Sequence, residues 1–481
     1  MGQGATCFMC KACNSQKKEI IMKLAKLSMV VISILGLGGH VYAASDTLAD
    51  AFKNGKVNGT LKAWYWDNNE EGNFYSKASH ENILNVGIEL GYVTDTLYGF
   101  RFGTTFQGSS TPFATDDAKA LFNKEESGQG SVLSEAYLGY QIGKTDIKVG
   151  RQYITTPLLS GNPTRFFRES FEGVSITNTD LPQTTVFAQY VNKFQGRTSD
   201  VLNGVANTYK APEFSKQIIL AGAGPSTFEF DGAYSLGAIN KSVSNLTLTA
   251  QFAQANDVRI KTAIPAGVGP YGISPTDKTD DVSFYYTEAN YVLPVSNFKL
   301  IFDANYRGSR AGSELDVAHI DGNMLGLRVG FTELYGFGAA LAYTTVGNGD
   351  DVLLGLGNGP SCYTMLAIRG PLVFNGYSGM DTYKLSTTYD FSKVGVNGLT
   401  TELAYVTAKQ DAPSASTIST VANRKAEIEG YSAKLSYAVP ALKGLTTDVT
   451  YVTFDKDYFI AGVQTKSLST DELWVNVNYK F

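Results

Sequence analysis

The last nine residues of the chain alternate strictly. Leu473, Val475, Val477, Tyr479 and Phe481 are apolar or aromatic, and Trp474, Asn476, Asn478 and Lys480 fill the places between them. A period of two belongs to a β-strand, whose successive side chains point to opposite faces, so this segment has one oily and one mainly polar face. The same rhythm recurs upstream in Leu61-Ala63-Tyr65, Leu84-Val86-Ile88-Leu90-Tyr92, Ala136-Leu138-Tyr140-Ile142 and Leu300-Phe302-Ala304-Tyr306. It continues in Leu325-Leu327-Val329-Phe331, Tyr383-Leu385-Thr387-Tyr389, Tyr431-Ala433-Leu435-Tyr437 and Leu445-Thr447-Val449-Tyr451. Each segment has about the ten residues that cross a bilayer as a tilted strand.

Counting such segments predicts about eighteen strands, an even number as a closed bacterial barrel requires. They begin near residues 57, 82, 97, 132, 146, 171, 184, 227, 245, 282, 298, 323, 336, 381, 398, 428, 444 and 471. The predicted fold class is all-β, a transmembrane antiparallel β-barrel. The connections support the count by alternating in length. Short links at 93–96, 143–145, 179–183, 293–297, 333–335 and 439–443 separate long polar stretches such as 107–131, 195–226, 256–281 and 347–380. Short periplasmic turns and long extracellular loops are the asymmetry of outer-membrane barrels. A barrel of this size leaves an aqueous lumen, whereas one of eight strands is filled by its own side chains.

Composition agrees. Charged residues make up only 18% of the 481, yet mean hydropathy lies just below zero, too polar for a bundle of membrane-spanning helices. The net charge of -5 argues against nucleic acid as a partner.

From Met22 the chain reads as a secretory signal: Lys23 and Lys26, an apolar run from Leu27 to Leu37, then Val41-Tyr42-Ala43. Cleavage is expected after Ala43, and residues 1–21 fit no part of the signal and read as a mis-assigned start. The barrel then occupies 44–481 as a single domain. Three of the four cysteines, Cys7, Cys10 and Cys13, fall in the extension and leave Cys362 alone, so no internal disulfide is expected. No cofactor or metal is implied.

If the oily parity faces lipid, the other parity faces the channel. Its cations are Lys62, Arg101, Lys148, Arg307, Arg328, Lys384, Lys434 and Lys480, interleaved with Glu89, Glu135, Asp303, Glu402 and Asp448. A cation at the lipid-facing midplane costs about 2–4 kcal/mol, so inward placement is expected even of charges that never touch solute.

The segment VGRQYITTPLLSGNPTRFFRESFEGV, residues 149–174, carries Gly150-Arg151-Gln152, Thr156-Pro157, Arg165 with Arg168 nearby, and Phe171-Glu172-Gly173-Val174. With these features it resembles the OprD-type family of substrate-selective outer-membrane porins. The resemblance implies that the loop after the fifth strand folds inward, narrows the pore and offers an arginine to carboxylated solutes. Arg165 and Arg168 are the main constriction candidates, and Arg151 is a third. Arg151 shares parity with Ile147 and Val149, so a bulge or an early strand end is needed to bring it inward. The later long loop, 347–380, shows no motif that can be matched to a constricting role. The terminal Phe481 and Tyr479 resemble the signal by which barrels are recognised by the assembly machinery.

These readings make the expected function passive diffusion of small polar solutes, carboxylates or other small ions, with outer-membrane lipid and the solutes as partners. Homo-oligomers are compatible with the sequence. A structural or adhesive surface barrel is the alternative. An outer-membrane hydrolase is the less favoured third reading, because His80 and His319, both in predicted loops, lack any nucleophile motif.

Overall fold

The computed structural model describes residues 45–72, 79–122, 128–198, 211–222, 227–261, 276–367, 376–410, 424–460 and 463–481. The extension and the signal segment fall outside the described residues. A short helix, α1 (Leu48–Lys53), is capped by the Thr47 side chain and precedes the first strand.

Eighteen long strands follow. The first seven are β1 (Lys56–Gly72), β2 (Ser79–Val93), β3 (Phe100–Ser110), β4 (Gly130–Ile142), β5 (Thr145–Gln152), β6 (Ser170–Asn178) and β7 (Thr184–Gln195). Next come β8 (Gly232–Asn240), β9 (Leu246–Ile260), β10 (Asp280–Val295), β11 (Phe298–Ala311), β12 (Asn323–Leu334) and β13 (Phe337–Val346). The wall is completed by β14 (Met380–Asp390), β15 (Leu399–Gln410), β16 (Arg424–Ala438), β17 (Leu445–Ile460) and β18 (Val463–Lys480). Each pairs antiparallel with its neighbours in sequence, and β18 pairs with β1 from Lys480↔Thr60 to Leu468↔Gly72. The sheet therefore closes and leaves no edge, the condition under which strands can cross a hydrocarbon layer. The closure reaches the last residue: Phe481 and Gly59 exchange backbone hydrogen bonds of 3.1 and 3.0 Å. The Phe481 ring covers the place where a side chain on Gly59 would stand, so the terminal aromatic fills a gap in the first strand.

The predicted strand starts agree with these to within a few residues, except at β8 and β18. There the start at 227 falls on a two-residue strand of the loop before β8, Phe228–Glu229, and 471 falls inside β18, which begins at Val463. Both discrepancies lie at the external rim, where strands run past the membrane and the alternation loses its oily partner.

Burial follows the predicted parity. Leu325, Leu327 and Val329 on β12, Leu341 on β13 and Leu403 on β15 are exposed on the outer face. A ring of outward tyrosines hydrogen-bonds acidic side chains: Tyr343 reaches Asp381 at 2.7 Å, Tyr405 reaches Glu429 at 2.8 Å and Tyr451 reaches Asp471 at 2.9 Å. That is the interfacial habit of an amphipathic ring with its body in oil and its hydroxyl in a polar layer.

Candidate functional site

Among the described residues, parts of several external loops fold back into the barrel, chiefly those of the loop after β5 (L3, residues 153–169), the loop after β7 (L4, 196–231) and the loop after β13 (L7, 347–379). L3 leaves the wall through its Thr-Pro turn, where the Thr156 hydroxyl is held by Gln251 Nε2 at 2.8 Å and Gln251 Oε1 accepts from the Leu158 amide at 2.9 Å. Leu158 and Leu159 then pack into an apolar seat formed by Phe171, Phe194, Val282 and Phe284 of the inner wall. Burying each leucine is worth about 1.5–3 kcal/mol, so the sequence Pro-Leu-Leu draws the loop inward without any ligand.

L4 and L7 occupy the same seat. Leu220–Ala221 pairs with Gly355–Leu356 as a two-residue ribbon, and Leu159 bridges to Leu356 alongside. L7, in which the sequence offered no motif, is thus an inward loop as well, and its Leu366 packs on Val406, Ile428 and Phe454.

The tip of L3 meets the wall again at β1 and β18, at the three tryptophans of the sequence. Phe166 lies edge-on to Trp64 at 5.7 Å. The Arg165 guanidinium is 4.8 Å from the Trp474 ring and 5.7 Å from the Trp66 ring, and the residue is 2% exposed. Arg165 is therefore a staple that fastens the loop tip by cation–π contact. The resemblance implies a solute-facing role in the constriction, whereas in this structure Arg165 lies enclosed against the two rings.

Arg168 is placed differently. Its backbone is pinned by Gln107 and Gln195, its guanidinium lies 3.8 Å above the Tyr153 ring, and Nη1 is 4.0 Å from Glu89. About a third of the side chain is exposed. Burial pushes the Tyr153 phenol far above its ordinary range, so Arg168 rests on a neutral ring. Lys62 joins this group, with Nζ 3.0 Å from Glu89 and 3.1 Å from the Phe166 carbonyl.

Arg151 stays outside. Gly150 has a positive φ of 124°, yet the register runs unbroken through Gly150↔Gly173 and Arg151↔Glu172. Arg151 keeps the parity of Val149, its Nε 3.1 Å from Glu172 and its guanidinium over the Phe214 ring. The irregularity that would turn it falls one step later, between β6 and β7 at Glu172/Gly173.

All of the predicted wall cations except the exposed Lys480 stand against a partner. Arg101 meets Asp146 at 2.6 Å, Lys148 lies 4.7 Å over the Tyr137 ring, and Lys434 stands 3.7 Å from Asp448. Three others converge on one cavity of about 610 Å³ between L3, L7 and strands β10 to β14. Arg307 stacks on Tyr286 at 4.6 Å and reaches the Leu354 carbonyl. Arg328 is held by Asp303 at 2.7 Å and lies 4.8 Å over the Tyr363 ring. Lys384 donates to the Met365 carbonyl at 2.7 Å, with Glu402 at 3.9 Å.

Glu288 and Tyr363 complete the cavity and escaped the sequence analysis. Glu288 shares the inward parity of Tyr286 and could have been read from it, but Tyr363 lies in a loop without periodicity. Burial raises the Tyr363 phenol far above its ordinary range, so it serves as a neutral donor to Glu288 Oε1, at 2.5 Å. Cys362 lines the same cavity. His80 is on β2, not in a loop, and pairs with Asp67 at 3.2 Å, while His319 meets Asp350 at 3.0 Å.

Comparison with known proteins agrees with this geometry. A model described as outer membrane porin, OprD family, matches residues 131–258, which include the whole of L3. Among solved structures, OccAB3 of Acinetobacter baumannii has a TM-score of 0.69 at 14% identity, over 89% of this chain and 99% of that one. A BenF-like porin of Pseudomonas fluorescens Pf-5 gives 0.67 at 13%, over 90% and 99%. OccK8 (OprE) of Pseudomonas aeruginosa gives 0.64 at 16%, over 90% and 99%. No curated protein matches.

Proposed function

With an OprD-family porin segment set in an eighteen-strand barrel of the Gram-negative outer membrane as premise, we propose that this porin favours small carboxylates among the solutes it passes. The observation that carries the reading is the convergence of Arg307, Arg328 and Lys384 on one cavity beside the inward loops. A guanidinium presents paired planar donors to a carboxylate and stays charged at any physiological pH. Arg328 and Lys384 are each shared with an acidic neighbour, which keeps their hold on a passing anion weak, as release from a channel demands. Solutes move down their gradient, and no reaction step or cofactor takes part.

The test is the reversal potential of single channels in a salt gradient, followed by block with acetate and benzoate. Anion preference and a concentration-dependent block are expected; cation preference together with no block refutes the reading. Silence in the bilayer from a folded barrel points instead to a structural or adhesive role.

We propose further that Phe481 and Tyr479 supply the assembly signal and that the mature chain starts at Ala44. Peptides from 2–18 in the native protein exclude the start at Met22.

A further inference from the structure

L3 and L7 meet at one buried carboxylate, and we propose that Glu169 is the positioning residue that locks these loops together and so sets the width of the channel. The inference rests on the reading that solute passes through the loop-narrowed lumen.

Glu169 closes L3, and only 1% of it is exposed. Its Oε2 accepts from the backbone amides of Asn162 at 2.9 Å and Asn358 at 3.1 Å, and Oε1 accepts from Asn358 Nδ2 at 2.6 Å. Arg197, where L4 begins, brings Nε to 3.4 Å. Asn162 belongs to L3 itself and Asn358 to L7, so one side chain gathers donors from L3 and L7 and pairs with a cation of L4.

The backbones touch at the same place. The Ser160 amide donates to the Leu356 carbonyl at 3.1 Å, and the Gly359 amide to the Ser160 carbonyl at 3.0 Å. A Cβ on Gly161 would stand 2.5 Å from the Glu169 carbonyl oxygen, and one on Gly359 would stand 2.3 Å from Ser160 Oγ. Only bare backbone fits the joint.

The chemistry of the joint is directional where that of the seat is not. Apolar contact under L3 and L7 holds both loops near the wall but fixes neither against the other. An ionised carboxylate accepts at both oxygens and donates nothing, which suits a meeting point of N–H groups. A glutamine turns two hydrogens toward those donors, and an alanine leaves them buried without an acceptor. Enclosed on all sides, Glu169 acts on solute through the loops it joins.

The test uses the full mature chain in planar bilayers, with neutral polymers of graded size to gauge the opening. Glu169→Gln and Glu169→Ala are expected to raise single-channel conductance by about twofold, with larger polymers admitted and more frequent substates, since conduction is set at the narrowest point. Glu169→Asp falls between. A role confined to barrel stability moves heat-modifiable gel migration and leaves conductance alone. If E169Q keeps wild-type conductance and polymer cut-off in an intact barrel, the proposal is overturned. Should E169A and E169Q fail to assemble, Asn358→Ala gives the same readout with Glu169 in place, and an unchanged channel there also overturns it. A wild-type chain that forms no channels refutes the porin reading instead.

Discussion

The inner wall does two jobs on one parity. Over β6 to β10 its external half presents Phe171, Phe194, Ala233, Ala253, Val282 and Phe284, all fully buried beneath L3, L4 and L7. Over β11 to β16 the same parity presents Asp303, Arg307, Arg328, Lys384, Glu402 and Lys434. The first stretch is an apolar seat and the second a charged face, within which Asp303 and Arg307 are themselves buried. A barrel thus fills part of its own lumen by making one stretch of its interior resemble a protein core, and leaves the other stretch charged.

Exchanging the two characters has the largest expected effect. Phe284→Asp puts a carboxylate under the loops, where burial of an unpaired charge costs several kcal/mol, more than one leucine contact returns. Conductance is expected to rise severalfold and to become noisy as L3 and L7 lift. Arg328→Glu, on the charged wall, is expected to leave the mean conductance near its starting level and to reverse the ion preference, read from the reversal potential. If both variants gave the same phenotype, the division of the wall would be wrong.

These two regions also differ in how readily the sequence reveals them. Eighteen strands, their parity and the short turns follow from alternation alone, because a strand between lipid and water must be two-faced. The seat escapes that logic. On β10, Val282, Phe284 and Tyr286 are inward while Tyr285 and Tyr291 are outward, so the strand is aromatic on both faces, the mark of a strand covered on both sides. Read that way, the pattern would have shown that something packs inside the lumen, though not which loop. Arg165 and Arg168 illustrate the remaining gap. They are three residues apart on one loop, and the tryptophans of β1 and β18, distant in sequence, enclose the first while about a third of the second stays exposed.

Effects of intermediate size are expected from that pair. Arg168→Ala removes a channel-facing charge, and a unit charge at 4 Å in water is worth about 1 kcal/mol, so the anion preference is expected to fall by about fivefold. Arg165→Ala removes the staple between Trp66 and Trp474. Its expected signature is faster flicker of the open level and earlier proteolysis within L3, with the reversal potential unchanged. Equal loss of anion preference in both would return Arg165 to the channel.

The smallest effect is expected at Arg151, and it tests whether the outer face takes any part in permeation. Arg151 reaches Glu172 at 3.1 Å on the outward parity, where Lys193 already holds the same carboxylate at 2.7 Å. With both cations partly exposed, the pair is worth about 0–1 kcal/mol, and Lys193 keeps Glu172 neutralised when Arg151 is lost. Arg151→Ala is therefore expected to shift the melting temperature slightly and to leave conductance, reversal potential and carboxylate block at wild-type values. A change in selectivity comparable to that of Arg168→Ala would mean that Arg151 reaches the lumen after all, and that the register between β5 and β6 breaks at Gly150.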